Sequence, residues 1–284
     1  MSDGAPLFRL PPHAGPRARL DHWSYALVVG GLGGIAIVLL AAPTLIVLIT
    51  SLTSAETLRF PPPGFSMRWY QALMFSSPEI VDAALVSLKV AASATLAAIA
   101  LATAAAVAIG SSKALWARIA DNALMSPVLL PALSLGLGLL LTFNLFHVGV
   151  SLATLIVGHI VICFPFVLRT TLASLAQIDP ALEECARDLG AGGWRTFLHV
   201  TFPLARGGIL AGAFIGFMAS FDNVAISLFL ADARSEVLPI RLWDLIESVL
   251  DVRAAAASGV LIVATVALMI VMERVSGLSR YLGH

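Results

Sequence analysis

Charge is scarce in this chain. Only 12% of its 284 residues are Asp, Glu, Lys or Arg, about half the share of a soluble domain. Hydrophobic residues make up 59%, and mean hydropathy is +0.94. A chain this apolar cannot cover its own surface with polar groups, so lipid must be the solvent for much of it. The formal net charge is zero, which removes the bulk electrostatic argument for nucleic acid. Cysteine is nearly absent. Cys163 and Cys185 make no disulfide framework and read as small apolar fillers. No Gly-x4-Gly-Lys-Ser/Thr loop occurs. Gly30, Gly31, Gly33 and Gly34 lie in an apolar run with no strand pattern, so they read as packing glycines and not a nucleotide loop. No nucleophile–base set and no metal-ligand cluster is visible. The lone His147 and His159 read as packed, hydrogen-bonded groups. Catalysis by this chain is therefore not expected.

What is present is a series of apolar runs long enough to cross a bilayer as helices. Six qualify, at about 26–50, 88–110, 122–146, 148–168, 205–230 and 254–273. The first is too long for a signal-peptide core and reads as a retained span. The Pro-rich residues 1–22 read as a flexible arm and 276–284 as a tail. Only His147 to Gly149 separate the third and fourth runs, which predicts a tight hairpin. Pro43, Pro127, Pro131 and Pro165 fall inside spans, as kinks or as ordinary packing irregularities.

Basic residues are distributed unevenly between the loops. Arg9, Arg17, Arg19, Lys113, Arg118, Arg169, Arg187, Arg195, Arg206, Arg274 and Arg280 fall on one side. Arg59, Arg68, Arg234, Arg241 and Arg253 fall on the other. Both termini and the long 169–206 loop are therefore expected to be cytoplasmic. The outer loops also carry Glu56, Glu79, Asp82, Asp232, Glu236, Asp244, Glu247 and Asp251. That mildly acidic mouth favours a cationic solute, weakly, because such charges are screened within about 8 Å.

The central loop has helical chemistry. Asp179 caps and Pro180 fits the first turn. Leu182, Cys185, Ala186 and Leu189 then share a face, and Glu183 and Arg187 form an i,i+4 pair. Glu184 and Asp188 are like charges at the same spacing, which a basic partner or a neighbouring arginine could relieve. Gly190 suits a left-handed helix end. Trp194, Phe197 and Leu198 build a second short amphipathic piece, and Pro203 opens the fifth span.

Glu184-Cys185-Ala186-Arg187-Asp188-Leu189-Gly190, nine further residues and Val200-Thr201-Phe202-Pro203 resemble the cytoplasmic docking loop of membrane subunits of ATP-driven importers. The signature there is Glu-Ala-Ala-x3-Gly-x9-Ile-x-Leu-Pro. Cys185, Val200 and Phe202 depart from it by size-tolerant changes. Gly64 to Tyr70, Ser126-Pro127 and Leu238-Pro239-Ile240 look like the second permease subunit of bacterial putrescine/spermidine importers. The similarity covers roughly residues 25–275. It implies an all-α, six-span type I ABC importer (MetI-like) permease fold in a bacterial inner membrane. It also implies an ATPase dimer that holds ATP and Mg, a second permease subunit and a periplasmic substrate-binding protein, with no cofactor in this chain. Permeases for opines, aminophosphonates, thiamine and ferric iron share the pattern. The docking residues it marks are Glu183, Glu184, Cys185, Ala186, Asp188, Gly190, Val200, Phe202 and Pro203.

One acid, Asp222, falls within the fifth apolar run, in Ser220-Phe221-Asp222-Asn223. A carboxylate there costs several kcal/mol unless it meets a partner or a wet cavity. Gly208, Gly212, Gly216 and Ser220 repeat every four residues as a stripe for close helix contact. On an unbroken helix Asp222 points away from that stripe, into a translocation cavity. The resembling polyamine permeases also carry an acid there. The expected pathway residues are Asp222, Phe221, Asn223 and Ser220. A structural pair with Lys89 and a bond to a partner permease are the alternatives. A secondary carrier using Asp222 for a proton or sodium is the competing class. Residues 238–250 read as an amphipathic outer helix, either an interfacial anchor through Trp243 or a contact for the binding protein.

Overall fold

The computed structural model describes residues 16–276. Residues 1–15 of the expected arm and 277–284 of the tail lie outside the described residues. The described part is helical, built from α1 (Pro16–Ser51), α2 (Arg68–Phe75), α3 (Pro78–Gly110), α4 (Leu115–Leu129), α5 (Ala132–Leu145), α6 (Leu152–Leu175), α7 (Pro180–Asp188), α8 (Gly193–Thr196), α9 (Phe202–Phe221), α10 (Val224–Leu230), α11 (Leu238–Val249) and α12 (Val252–Ser276). A π-helical turn, Phe197–Thr201, joins α8 to α9.

Five helical stretches are long and apolar enough to span: Leu27–Ser51, Pro78–Gly110, Leu152–Leu175, Gly193–Phe221 and Val252–Arg274. The helix pair α4 and α5 makes a sixth if counted as one span, but it bends by 109°. The third run, expected over 122–146 with Pro127 and Pro131 as kinks or irregularities, thus divides at Leu130–Pro131. Pro131 has no N–H to give the helix and pushes Leu130 into extended backbone, with ψ 143°. The bend also seats Gly136 against α10, where a Cβ would lie 2.7 Å from Phe229 and 2.9 Å from the Ala225 carbonyl.

Other limits move for local reasons. The expected arm ends at residue 22, yet α1 already starts at Pro16, a residue suited to a first helical turn. Helix α3 begins ten residues before 88, at Pro78. Glu79 and Asp82 in its first turns hide that start from hydropathy. At 33 residues it is roughly 50 Å long, well beyond the hydrocarbon core. Helix α6 starts only at Leu152, where Ser151 and Thr154 form a reciprocal cap.

Helices α3, α6 and α9 form the centre of the packing, each in contact with the other two. Ala94, Ala98, Ala102 and Ala106 of α3 are fully buried against Cys163, Val167 and Leu168 of α6. Small side chains every four residues let two backbones approach closely, which drives helix association where lipid supplies no hydrophobic gradient. The glycine stripe of α9 does the same beside it, against Cys163, Val167 and Thr170 of α6. A Cβ on Gly208 would lie 2.5 Å from the Thr170 carbonyl, and one on Gly212 2.7 Å from Val167 Cα.

Arg169–Asp121 (3.7 Å) links α6 to α4, and Arg187–Glu183 (3.3 Å) lies within α7. Arg241–Glu236 (3.9 Å) and Arg253–Asp251 (2.8 Å) are local, and Arg253–Glu79 (3.0 Å) links α12 to α3.

Candidate functional site: a moored surface helix and a broken span

The 178–203 loop is built from local chemistry. Asp179 Oδ1 accepts from the Ala181 N–H at 3.0 Å, capping α7. At the other end Gly190 has φ +86°. Its N–H donates to the Arg187 carbonyl at 2.8 Å, and the Ala191 N–H donates to Ala186 at 3.0 Å. That pair is the Schellman closure a glycine permits.

One apolar face of α7 has no cover among the described residues. Leu182 is 48% exposed and Leu189 90% exposed, and Cys185 between them is exposed too. The opposite face is tied down. Glu183 Oε2 accepts from Arg187. Its Oε1 accepts the hydroxyl of buried Thr201 at 2.6 Å. Glu183 is thus a mooring between the surface helix and the start of α9. Among the described residues, Glu184 and Asp188 make no ion pair, so neither Arg187 nor Arg195 neutralises them.

The second amphipathic piece does not stand apart as a separate helix. It runs from α8 through the π turn into α9, as one stretch from Gly193 to Phe221. Pro203 explains the wide turn. It has no N–H for the His199 carbonyl, and the Phe202 N–H instead reaches back five residues to Phe197. Trp194 stacks on Phe197 at 5.7 Å, and Phe197 meets Phe202 at 6.0 Å. Val200 and Thr201 lie within that turn, so the signature's last residues hold the joint between loop and span. The Glu183–Thr201 bond and the π turn were not foreseen. The proline at 203 was the available signal.

Asp222 is not on a continuous helix. Helix α9 ends at Phe221, and α10 begins at Val224. This corrects an unbroken fifth span over 205–230. The cause lies in the residue types. Asp and Asn compete for backbone groups and favour helix ends. Asn223 Oδ1 accepts from the Ile226 N–H at 2.8 Å, capping α10. Asp222 is exposed on the chain and forms no ion pair among the described residues, with Lys89 or any other partner. Phe221 stacks on Phe217 at 5.9 Å beneath it. Ser220 is buried and hydrogen-bonded to His159, so it belongs to the packing face and not to the open side. Of the four expected pathway residues, the fold exposes Asp222, leaves Phe221 and Asn223 partly exposed, and turns Ser220 inward. No group of His, Cys, Asp and Glu able to hold a metal occurs among the described residues.

Outside the spans, α11 buries Leu238 and Leu245 and leaves Trp243 62% exposed. Trp243 Nε1 donates to Glu247 at 2.7 Å. Arg253 ties the start of α12 to Ser77 and Glu79 at the start of α3, both at 3.0 Å.

A surface helix moored to a span, several close-packed apolar helices and a polar break between α9 and α10 are the architecture of a membrane transport subunit. The chain belongs to the family of binding-protein-dependent transport system inner membrane components, whose profile matches residues 27–279. It is the permease subunit of an ABC importer and not an enzyme. It is similar to the spermidine/putrescine transport system permease protein PotC of Haemophilus influenzae, with 25% identity over 82% of this chain and 90% of that protein. The putrescine transport system permease protein PotI of Escherichia coli is 26% identical over 72% of this chain and 75% of its own length. Among solved structures, a bacterial ABC transporter involved in the import of the acidic polysaccharide alginate shares the fold. Its TM-score is 0.69 at 13% identity, covering 94% of this chain and 99% of that one.

Proposed function

We propose that this subunit imports a small polycation of the polyamine class, and that Asp222 is a carboxylate it meets on the way. The observation that carries this reading is an exposed, unpaired acid at a break in a membrane span. An unpaired charge at that depth is costly unless a cavity or a passing partner solvates it. An ammonium about 4 Å from a carboxylate gains about 4 kcal/mol at an effective dielectric of 20. The relatives named for spermidine and putrescine support the class, as do the acids of the outer loops.

In this reading both termini and α7 face the cytoplasm. Two ATPase subunits, which hold ATP and Mg, seat on the loops of this chain and of a second permease. The bare Leu182–Cys185–Leu189 face is the contact surface. Glu184 and Asp188 meet basic groups of the ATPase. Motion of α7 passes through Glu183 and Thr201 to α9, and so to Asp222. A periplasmic binding protein delivers the solute from outside.

Asp222→Asn keeps the size and removes the charge. It is expected to lower spermidine or putrescine uptake into cells at least about tenfold, the effect of losing 1.4 kcal/mol of ion pairing, at unchanged membrane abundance. Unchanged uptake of a polyamine that the binding protein captures removes Asp222 from the path.

A further inference from the structure

One imidazole joins the two halves of the broken span. His159 of α6 is 1% exposed. Its neighbour Gly158 brings the α6 backbone close to α10, since a Cβ there would lie 2.6 Å from Leu230 Cδ1 and 2.9 Å from Ile226 Cγ2. From that position His159 Nδ1 reaches Ser220 Oγ of α9 at 2.7 Å, and Nε2 reaches Ser227 Oγ of α10 at 3.1 Å.

One arrangement of protons gives every group in the network a partner. A serine hydroxyl has one hydrogen, and Ser227 gives its own to the Asn223 carbonyl at 2.8 Å. Ser227 can therefore only accept from His159, so Nε2 carries the proton. A buried imidazolium with no carboxylate bonded to it is disfavoured. Nδ1 is then a bare acceptor, and the Ser220 hydroxyl donates to it. The chain runs from Ser220 to His159, from His159 to Ser227, and from Ser227 to the carbonyl of Asn223. It starts two residues before Asp222 and ends one residue after it.

We propose that His159, held as the Nε2–H tautomer, is the positioning residue of this break. It spans the gap between α9 and α10 and so sets where Asp222 stands. Phenylalanine can fill the same volume, but it leaves Ser220 without its acceptor and Ser227 without its donor. The hinge is then free to relax. The consequence for transport rests on the reading of Asp222 as a pathway residue; the clamp itself does not.

Two measurements on the assembled transporter in lipid nanodiscs test it, and neither uses a solute. In the first, this chain is labelled with 15N-histidine, and the spectrum of His159→Phe is subtracted from that of the native chain. The His159 ring is expected to show a protonated Nε2 and a bare Nδ1 at neutral pH; the opposite tautomer overturns the proposal. In the second, Asp222→Cys in a Cys185→Ser background is timed against a membrane-impermeant maleimide. Adding His159→Phe or Ser227→Ala is expected to change the rate at least about fivefold, the shift from losing one net hydrogen bond. Equal rates in all three chains, zero included, overturn the clamp and leave a plain packing role for His159. Should His159→Phe be degraded, Ser227→Ala decides the matter in the same way. Unchanged polyamine uptake in Asp222→Asn counts against the pathway reading alone, so the two failures are separable.

Discussion

Gly190 holds the end of α7 with a left-handed backbone, φ +86°. An L side chain there costs about 1–2 kcal/mol, and a carboxylate adds another acid at the C-terminal end of α7, where the helix dipole disfavours negative charge. Gly190→Asp is expected to insert and assemble normally but to hydrolyse ATP without uptake. Normal uptake at normal abundance would remove the loop from coupling. Just before α12, Asp251 is affected by burial, which pushes its carboxyl up. Hydrogen bonds from the Arg253 side chain and N–H outweigh that and hold it below the usual carboxylate range. A depressed carboxylate stabilises the fold above its unfolded pKa and loses that contribution as pH falls through the folded value. The thermal midpoint of the purified chain should therefore be insensitive to this group at neutral pH and fall only below about pH 4. Asp251→Asn should lower the neutral-pH midpoint and remove that part of the acid dependence.

Helices α6 and α9 meet through glycine, so their contact has no slack. Gly212→Ala places a methyl group against Thr170 and Val167 and is expected to cost about 1–3 kcal/mol by overpacking. The check is a lowered thermal midpoint with the helical signal intact; an unaltered midpoint would mean the pair can separate freely. These elements also show what a sequence carries. The cap at Asp179, the closure at Gly190, the Glu183–Arg187 pair and the α9 stripe were legible because each depends on residues within one or two turns. The bend at Leu130–Pro131 was only half legible. Proline marks the place, but the 109° angle depends on Gly136 seating against α10. The break at Asp222–Asn223 was read as a helix carrying an acid, because an apolar run outweighed two cap-forming residues. His159 was correctly read as a hydrogen-bonded core residue, yet its partners lie 61 and 68 residues away, beyond any local pattern.

As a subunit, the chain is incomplete by itself. Helix α1 packs against α12, and among the described residues none of its most apolar stretch is buried, so lipid or a neighbouring subunit is expected to cover it. Leu182 of α7 and Leu189 at its end likewise stand outward, uncovered among the described residues. Fold and family account for the membrane part. What drives it is the central claim, namely that α7 is the seat of a separate ATPase inside the cell. Cys185 stands on that bare face and offers a native handle. The decisive measurement attaches a photoreactive maleimide to Cys185 in the assembled transporter and maps the cross-linked product with and without ATP. The account predicts one dominant product with the ATPase subunit, with a yield that changes when nucleotide binds. Cross-linking to the binding protein, or labelling of Cys185 from outside intact spheroplasts, would contradict it.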